Sequence, residues 1–170
     1  MSFVTTATRD RRPIFEISRV ADLFVDTLLH YRTLGHYKLH AYLVMPDHVQ
    51  LILTPQSITL EQAVGLIKNG FAYRLDTNLP VWEDGFTGYS VANMRDLELV
   101  RAYLHQLPVR TGMAAAAELY PHSSAYRQAP IAAMATSSSG VLASSDAEPG
   151  QRPSRKSAVA NATSLHEVAS

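Results

Sequence analysis

The chain reads as an α+β fold, and three observations carry that reading. Three segments repeat apolar residues at the three-to-four spacing of a helix face. Short runs rich in Val, Ile, Thr and Tyr lie between them, the composition of strands. Two of these runs are joined across Met45-Pro46-Asp47, a turn signal.

In chain order, Phe3 to Thr8 is short and β-branched, a first strand broken by Arg9, Asp10, Arg11, Arg12 and Pro13. From Ser18 to about Leu34, Val20, Phe24, Leu28 and Tyr31 mark one helix face, and Gly35 ends the helix. Tyr37 to Met45 and His48 to Thr54 form a hairpin. Thr59 with Gln62 three residues on is a capping box for a second helix, whose face carries Leu60, Val64, Ile67 and Phe71. Asn78-Leu79-Pro80 closes it, and Phe86 to Val91 is a fourth strand. Asn93, with Asp96 three residues later, caps a third helix bearing Leu97, Val100, Leu104 and Leu107, which Pro108 ends. The order β-α-β-β-α-β-α predicts a ferredoxin-like sandwich, one antiparallel sheet with helices packed on one face.

With 170 residues, 46% of them hydrophobic, the chain holds one domain with a sizeable core and something appended. The appendage starts at 129: positions 129–170 hold ten Ala and nine Ser and no aromatic residue. Such a segment cannot bury enough apolar surface to offset its ordering entropy, so residues 1–128 are read as the domain and 129–170 as a disordered tail. Arg152, Arg155 and Lys156 in the tail read as a solvated charge run. No apolar run approaches the about 18 residues of a membrane span, and the first fifteen residues lack a secretory apolar stretch. Absence of cysteine excludes a disulfide scaffold, a thiol nucleophile and a thiolate zinc site. The expected location is the cytoplasm. Fifteen basic residues balance fifteen acidic ones, so any phosphate binding must be local rather than a bulk-charge effect.

Within the hairpin, Val49, Leu51 and Leu53 share one face of the second strand while His48, Gln50 and Ile52 share the other. Setting Val44 opposite His48 keeps polar and apolar sets apart, placing Lys38, His40 and Tyr42 beside His48 and Gln50. That face is too polar for an ordinary core. Either the third helix or a ligand should cover it.

These residues resemble a known family. KLHAYLVMPDHVQLILTP (38–55) resembles the HUH segment of single-tyrosine transposases, the REP-associated tyrosine transposases and related small insertion-sequence enzymes. FVTTATRDRRPIF (3–15) is similar to their opening strand and basic turn, IKNGFAYRL (67–75) to an IKGGFSFR-type helix, and VWEDGF (81–86) to VWQRGF. YLHQLPVRTGMA (103–114) is similar to YIHxNPVRAGLA and YPHSSAY (120–126) to a YPYSSA ending. Together they span residues 3 to 127, in order and in spacing.

The resemblance implies an enzyme that cleaves and rejoins single-stranded DNA, often at hairpin-bearing ends, through a 5′-phosphotyrosine link. It places the nucleophile at Tyr103, a position at the edge of the third helix's apolar face. It implies a divalent metal, Mg²⁺ or Mn²⁺, with His48 as first ligand. The second histidine position is Gln50, whose carbonyl oxygen can serve a hard cation, and the third ligand position is Leu107, which cannot. Gln106, three residues from Tyr103, is a substitute ligand on the same side of the helix, whereas His105 points away. His40 stands one diagonal step beyond a shared metal, and Tyr42 faces Gln50. Arg9, Arg11, Arg12, Lys68, Arg74 and Arg110 are the DNA-contact positions, the first three as a triplet before Pro13. Glu83-Asp84 stands where a basic residue is usual and repels phosphate, and Trp82 serves either as a base-stacking platform or as a core plug. Partners are thus single-stranded or hairpin DNA, with the protein a monomer or a homodimer. Gln50, Leu107 and the acidic pair favour an alternative, a transposase-derived DNA-binding protein that has lost cleavage.

Overall fold

A computed structural model describes residues 1–126. The expected tail, with Arg152, Arg155 and Lys156, lies outside the described residues. The elements are β1 (Ser2–Ala7), α1 (Ser18–Thr33), β2 (Tyr37–Met45), β3 (His48–Pro55), α2 (Leu60–Leu75), β4 (Thr87–Ser90) and α3 (Met94–Arg110), with short 3-10 turns at Arg9–Arg11, Ile14–Glu16 and Ala117–Leu119. The sheet order is β2-β3-β1-β4, and every neighbouring pair is antiparallel. This is the ferredoxin-like arrangement that the element order predicts, with α3 added.

The local signals act as read. Thr59 Oγ1 accepts the Gln62 N–H at 3.2 Å while Gln62 Oε1 accepts the Thr59 N–H at 2.9 Å, so the capping box closes reciprocally. Asn93 Oδ1 accepts the Asp96 N–H at 3.0 Å and opens α3. Gly35 takes a φ of +80° just after α1, a conformation that side chains other than glycine's resist. α2 stops earlier than Asn78-Leu79-Pro80, at Leu75, because Asp76 adopts the left-handed conformation there.

Pro108 does not end α3, which continues to Arg110. A proline this close to the end removes one helical hydrogen bond, that of its missing N–H to Leu104 O, and the helix-end carbonyls beyond it find partners in the residues that follow. Leu107 O accepts the Thr111 N–H at 3.0 Å, and Pro108 O accepts the Met113 N–H at 2.8 Å. The chain turns away at Gly112, φ +73°.

The sheet has a core on each side. On one face Val4, Tyr42, Val44, Val49, Leu51 and Leu53 meet Phe24 and Leu28 of α1 and Val64, Ile67 and Phe71 of α2. On the other, Phe3, Ala41, Leu43, Met45 and Ile52 meet Leu97 and Leu104 of α3. Only two helices therefore share a face, and of the two covers offered for the polar face, the third helix is the one found.

The hairpin register differs from the expected one. Met45, not Val44, opposes His48, and Leu43 opposes Gln50. The loop holds two residues, Pro46 and Asp47, and a register shift between Leu39 and Ala41 leaves His40 as the extra residue of a bulge. Tyr42 accordingly faces α1 and α2 in the buried core instead of Gln50. The polar-versus-apolar contrast misleads here because both faces of β2 are covered, so an apolar residue costs nothing on either.

Trp82 is a core plug. Its ring packs 5.5 to 5.9 Å from those of Phe15, Phe24 and Phe71, and its Nε1–H donates to Lys68 O at 3.0 Å. Phe71 is fully buried in this cluster. Phe71→Ala should lower the unfolding free energy by about 3–5 kcal/mol, seen as an earlier urea midpoint at unchanged slope.

Candidate functional site

The two-residue turn builds the site. Asp47 O accepts the Thr8 N–H at 2.9 Å, which ties the end of β1 to the hairpin. Asp47 Oδ1 lies 2.7 Å from His48 Nδ1, and Oδ2 lies 3.4 Å from Arg11 Nη1. Burial alone would raise the Asp47 carboxyl, but the hydrogen bond to His48 and the Arg11 guanidinium outweigh it and hold the group below the usual carboxylate range. With Asp47 ionised, Nδ1 of a neutral His48 carries the proton and Nε2 keeps its lone pair. That is the carboxylate–imidazole arrangement typical of metal-binding histidines.

Gln50, two residues on along β3, is buried, and its Oε1 has no hydrogen-bond partner among the described residues. An unpartnered buried carbonyl is costly unless something accepts its lone pairs. Across β1, Ala7 opposes His48 and Thr5 opposes Gln50. His48 and Gln50 thus share the sheet face that α3 covers.

On α3, Tyr103 is half exposed, at 50%. The Arg110 guanidinium sits 5.6 Å from its ring centroid, a cation–π contact one heptad along the helix. Leu107 is partly buried against the α3-side core. Gln106 lies on the exposed side of α3. Among the described residues no group of three or more His, Cys, Asp or Glu side chains can hold a metal. The donors here are one imidazole nitrogen and one amide oxygen. They fit a hard cation that completes its shell with water and phosphate oxygens, as Mg²⁺ commonly does.

The remaining basic positions divide. Arg9 and Arg11 lie on the turn that follows β1, beside the hairpin, and Arg9 Nη1 is 3.8 Å from both Glu83 Oε2 and Asp84 Oδ2. Arg12 donates to the carbonyls of Arg9 and Pro80. Lys68 Nζ donates to the carbonyls of Glu83 and Gly85 at 2.7 Å each, holding that loop against α2. Burial lowers the Lys68 pKa, and Asp84 and Glu83 counter part of the effect. Arg74 Nη1 donates to Thr27 Oγ1 at 2.8 Å, bridging α2 to α1 on the sheet face opposite His48. Arg9, Arg11 and Arg110 are therefore placed near the site elements, whereas Arg12, Lys68 and Arg74 hold the fold together.

Two features escaped the sequence reading. Asp47 is a hub, signalled only by Pro-Asp-His. The segment 122–124 pairs with the outer edge of β2: Val44 N–H donates to His122 O and Ser124 N–H to Tyr42 O, each at 2.9 Å. His105 Nε2 lies 2.8 Å from Ser124 Oγ, anchoring α3 to this segment. His105 does point away from Tyr103, two residues being about 200° around the helix. His40 Nε2 lies 2.9 Å from Thr54 Oγ1.

A family model of IS200-like transposases matches residues 3–107. A REP-associated tyrosine transposase, solved bound to a REP hairpin, superposes with a TM-score of 0.62 at 18% identity, covering 72% of this chain and 74% of that one. A Deinococcus radiodurans R1 protein assigned as a transposase gives a TM-score of 0.47 at 22% identity, covering 62% and 88%. None of the curated proteins matches the sequence. The fold is thus similar to that of the REP-associated tyrosine transposase. The chain belongs to the IS200-like transposase family. No helix among the described residues is long and apolar enough to cross a membrane.

Burial, with Arg101 adding to it, pushes the His105 pKa from 6.5 down to about 4. The unfolded chain takes up the proton near 6.5, but the folded one resists it to about 4. Stability is therefore complete above that range and falls as pH drops through it. Thermal midpoints should decline from pH 7 to pH 4.5, and His105→Gln should flatten the decline.

Proposed function

We propose that the chain cleaves and rejoins single-stranded DNA, with Tyr103 as nucleophile and His48 and Gln50 as the protein ligands of Mg²⁺ or Mn²⁺. One observation carries this reading. The helix bearing a half-exposed Tyr103 packs on the sheet face where His48 turns its Nδ1 to Asp47 and Gln50 has a buried Oε1 with no partner among the described residues. The relative solved with a REP hairpin supports hairpin-bearing DNA as the substrate class.

The bound cation would offset negative charge on the scissile phosphate. The rest falls to the chain's own residues. Asp47 holds His48 in one tautomer and one orientation. The Tyr103 hydroxyl loses its proton to solvent and attacks phosphorus. A Tyr–O–P bond forms as the P–O3′ bond breaks, and the departing 3′ oxygen takes a proton. The 5′ side stays on the protein, and attack by a 3′ hydroxyl reverses the step. Arg110, beside the Tyr103 ring, places a positive charge where the phosphate must approach. Leu107 contributes no donor, so the cation is held by few protein atoms and its affinity is low.

A second reading has its own support. Leu107 and the carboxylates paired with Arg9 suit a domain that binds DNA without cutting it.

With a labelled hairpin-bearing single strand and Mg²⁺, the protein should form a covalent adduct that Tyr103→Phe abolishes. If wild type gives none while Gln50→His combined with Leu107→Asn gives one, the non-cleaving reading holds. If neither does, the catalytic reading fails. Asp47→Asn should slow adduct formation by about ten- to a hundredfold, and added metal should recover part of the loss.

A further inference from the structure

The acidic pair Glu83-Asp84 is built into the surface beside the site. Glu83 N–H donates to Ala7 O at 3.0 Å, extending the pairing of the 81–83 segment along β1. Glu83 Oε1 accepts the Asp10 N–H at 2.7 Å, and Lys68 grips the Glu83 and Gly85 carbonyls. The backbone bond to Ala7, with the Lys68 and Asp10 contacts beside it, holds the acidic segment against the basic turn. Glu83, Asp84 and Arg11 line a cleft of about 320 Å³ that reaches Thr5 and Ala7, the β1 residues opposite Gln50 and His48.

On this surface the two guanidiniums of Arg9 and Arg11 are matched by three carboxylates, those of Glu83, Asp84 and Asp47. Asp47 is engaged by His48 and belongs to the site. Glu83 and Asp84 touch no site residue among the contacts described. Their charges act on Arg9 and on whatever anion approaches it.

We infer that Glu83 and Asp84 are selectivity residues. By occupying Arg9 they withhold one phosphate contact from a strand lying across the site, and they repel its backbone. An unstructured strand, which offers little besides phosphates, therefore binds weakly. A strand that brings further contacts, such as a hairpin, displaces them. The inference rests on the DNA-binding reading above and adds the discrimination between two kinds of DNA.

The test is fluorescence anisotropy with labelled oligo-dT and with a hairpin-bearing strand across a salt series. Four variants are compared with wild type: Glu83→Gln/Asp84→Asn, Asp84→Asn alone, and each of these combined with Arg9→Ala. Glu83→Gln keeps the oxygen that accepts from Asp10, and the Asp84 side chain is fully exposed, so neither change threatens the fold. The double variant should bind oligo-dT about threefold or more tightly at low salt. Its log–log salt slope should be steeper by about 0.7, one single-strand phosphate contact. Asp84→Asn should give part of the gain, the hairpin strand should gain less, and Arg9→Ala should erase the difference. If wild type binds and neither variant binds oligo-dT more tightly, or the gain survives intact without Arg9, the inference is overturned while DNA binding stands. If no variant nor wild type binds either DNA at low salt, the DNA-binding reading falls and the inference with it.

Discussion

The length of one turn governs this molecule. Two residues, Pro46 and Asp47, close the β2–β3 hairpin, and with so short a loop Met45 must oppose His48. Side chains alternate strictly along a strand, so this single pairing assigns every residue of β3 to a face. It puts His48 and Gln50 under α3 and sends Tyr42 and Val44 to α1 and α2. Asp47 then secures the turn from three sides: its carbonyl holds Thr8, and its carboxylate meets His48 and Arg11. Fold and site share this one hub.

Much of the architecture is legible in the sequence. The capping pairs Thr59/Gln62 and Asn93/Asp96 mark helix starts because their chemistry is local, and Gly35 marks a stop for the same reason. What failed was non-local. Polar contrast misplaces the hairpin register because helices cover both faces of β2. Pro108 signals a stop by residue type, yet α3 runs on to Arg110, because a proline in the last turn removes only one helical hydrogen bond.

The site shows the same division. Tyr103 and His48 could be located by likeness of motif, and Tyr103 sits at the exposed edge of α3 that its spacing implied. The destinations of the arginines and of Lys68 could not, because a cation on a helix is equally suited to a phosphate or to a backbone carbonyl. Lys68 and Arg12 are spent on carbonyls and Arg74 on a hydroxyl. Gln50 is the instructive departure. Its amide oxygen is a weaker ligand than imidazole, but burial without a partner gives that oxygen a reason to accept a cation. Leu107, where the resemblance implies a donor, instead packs against the α3-side core.

The central claim is spatial: the imidazole–amide pair on β3 and the phenol on α3 open onto one shared space. Paramagnetic line broadening by Mn²⁺ measures this directly in solution. At substoichiometric Mn²⁺ the Gln50 side-chain amide and the Tyr103 ring should broaden together, while Tyr73 on the outer surface of α2 stays sharp. Broadening that spares Gln50, or that reaches Gln50 and leaves the Tyr103 ring untouched, would contradict the account.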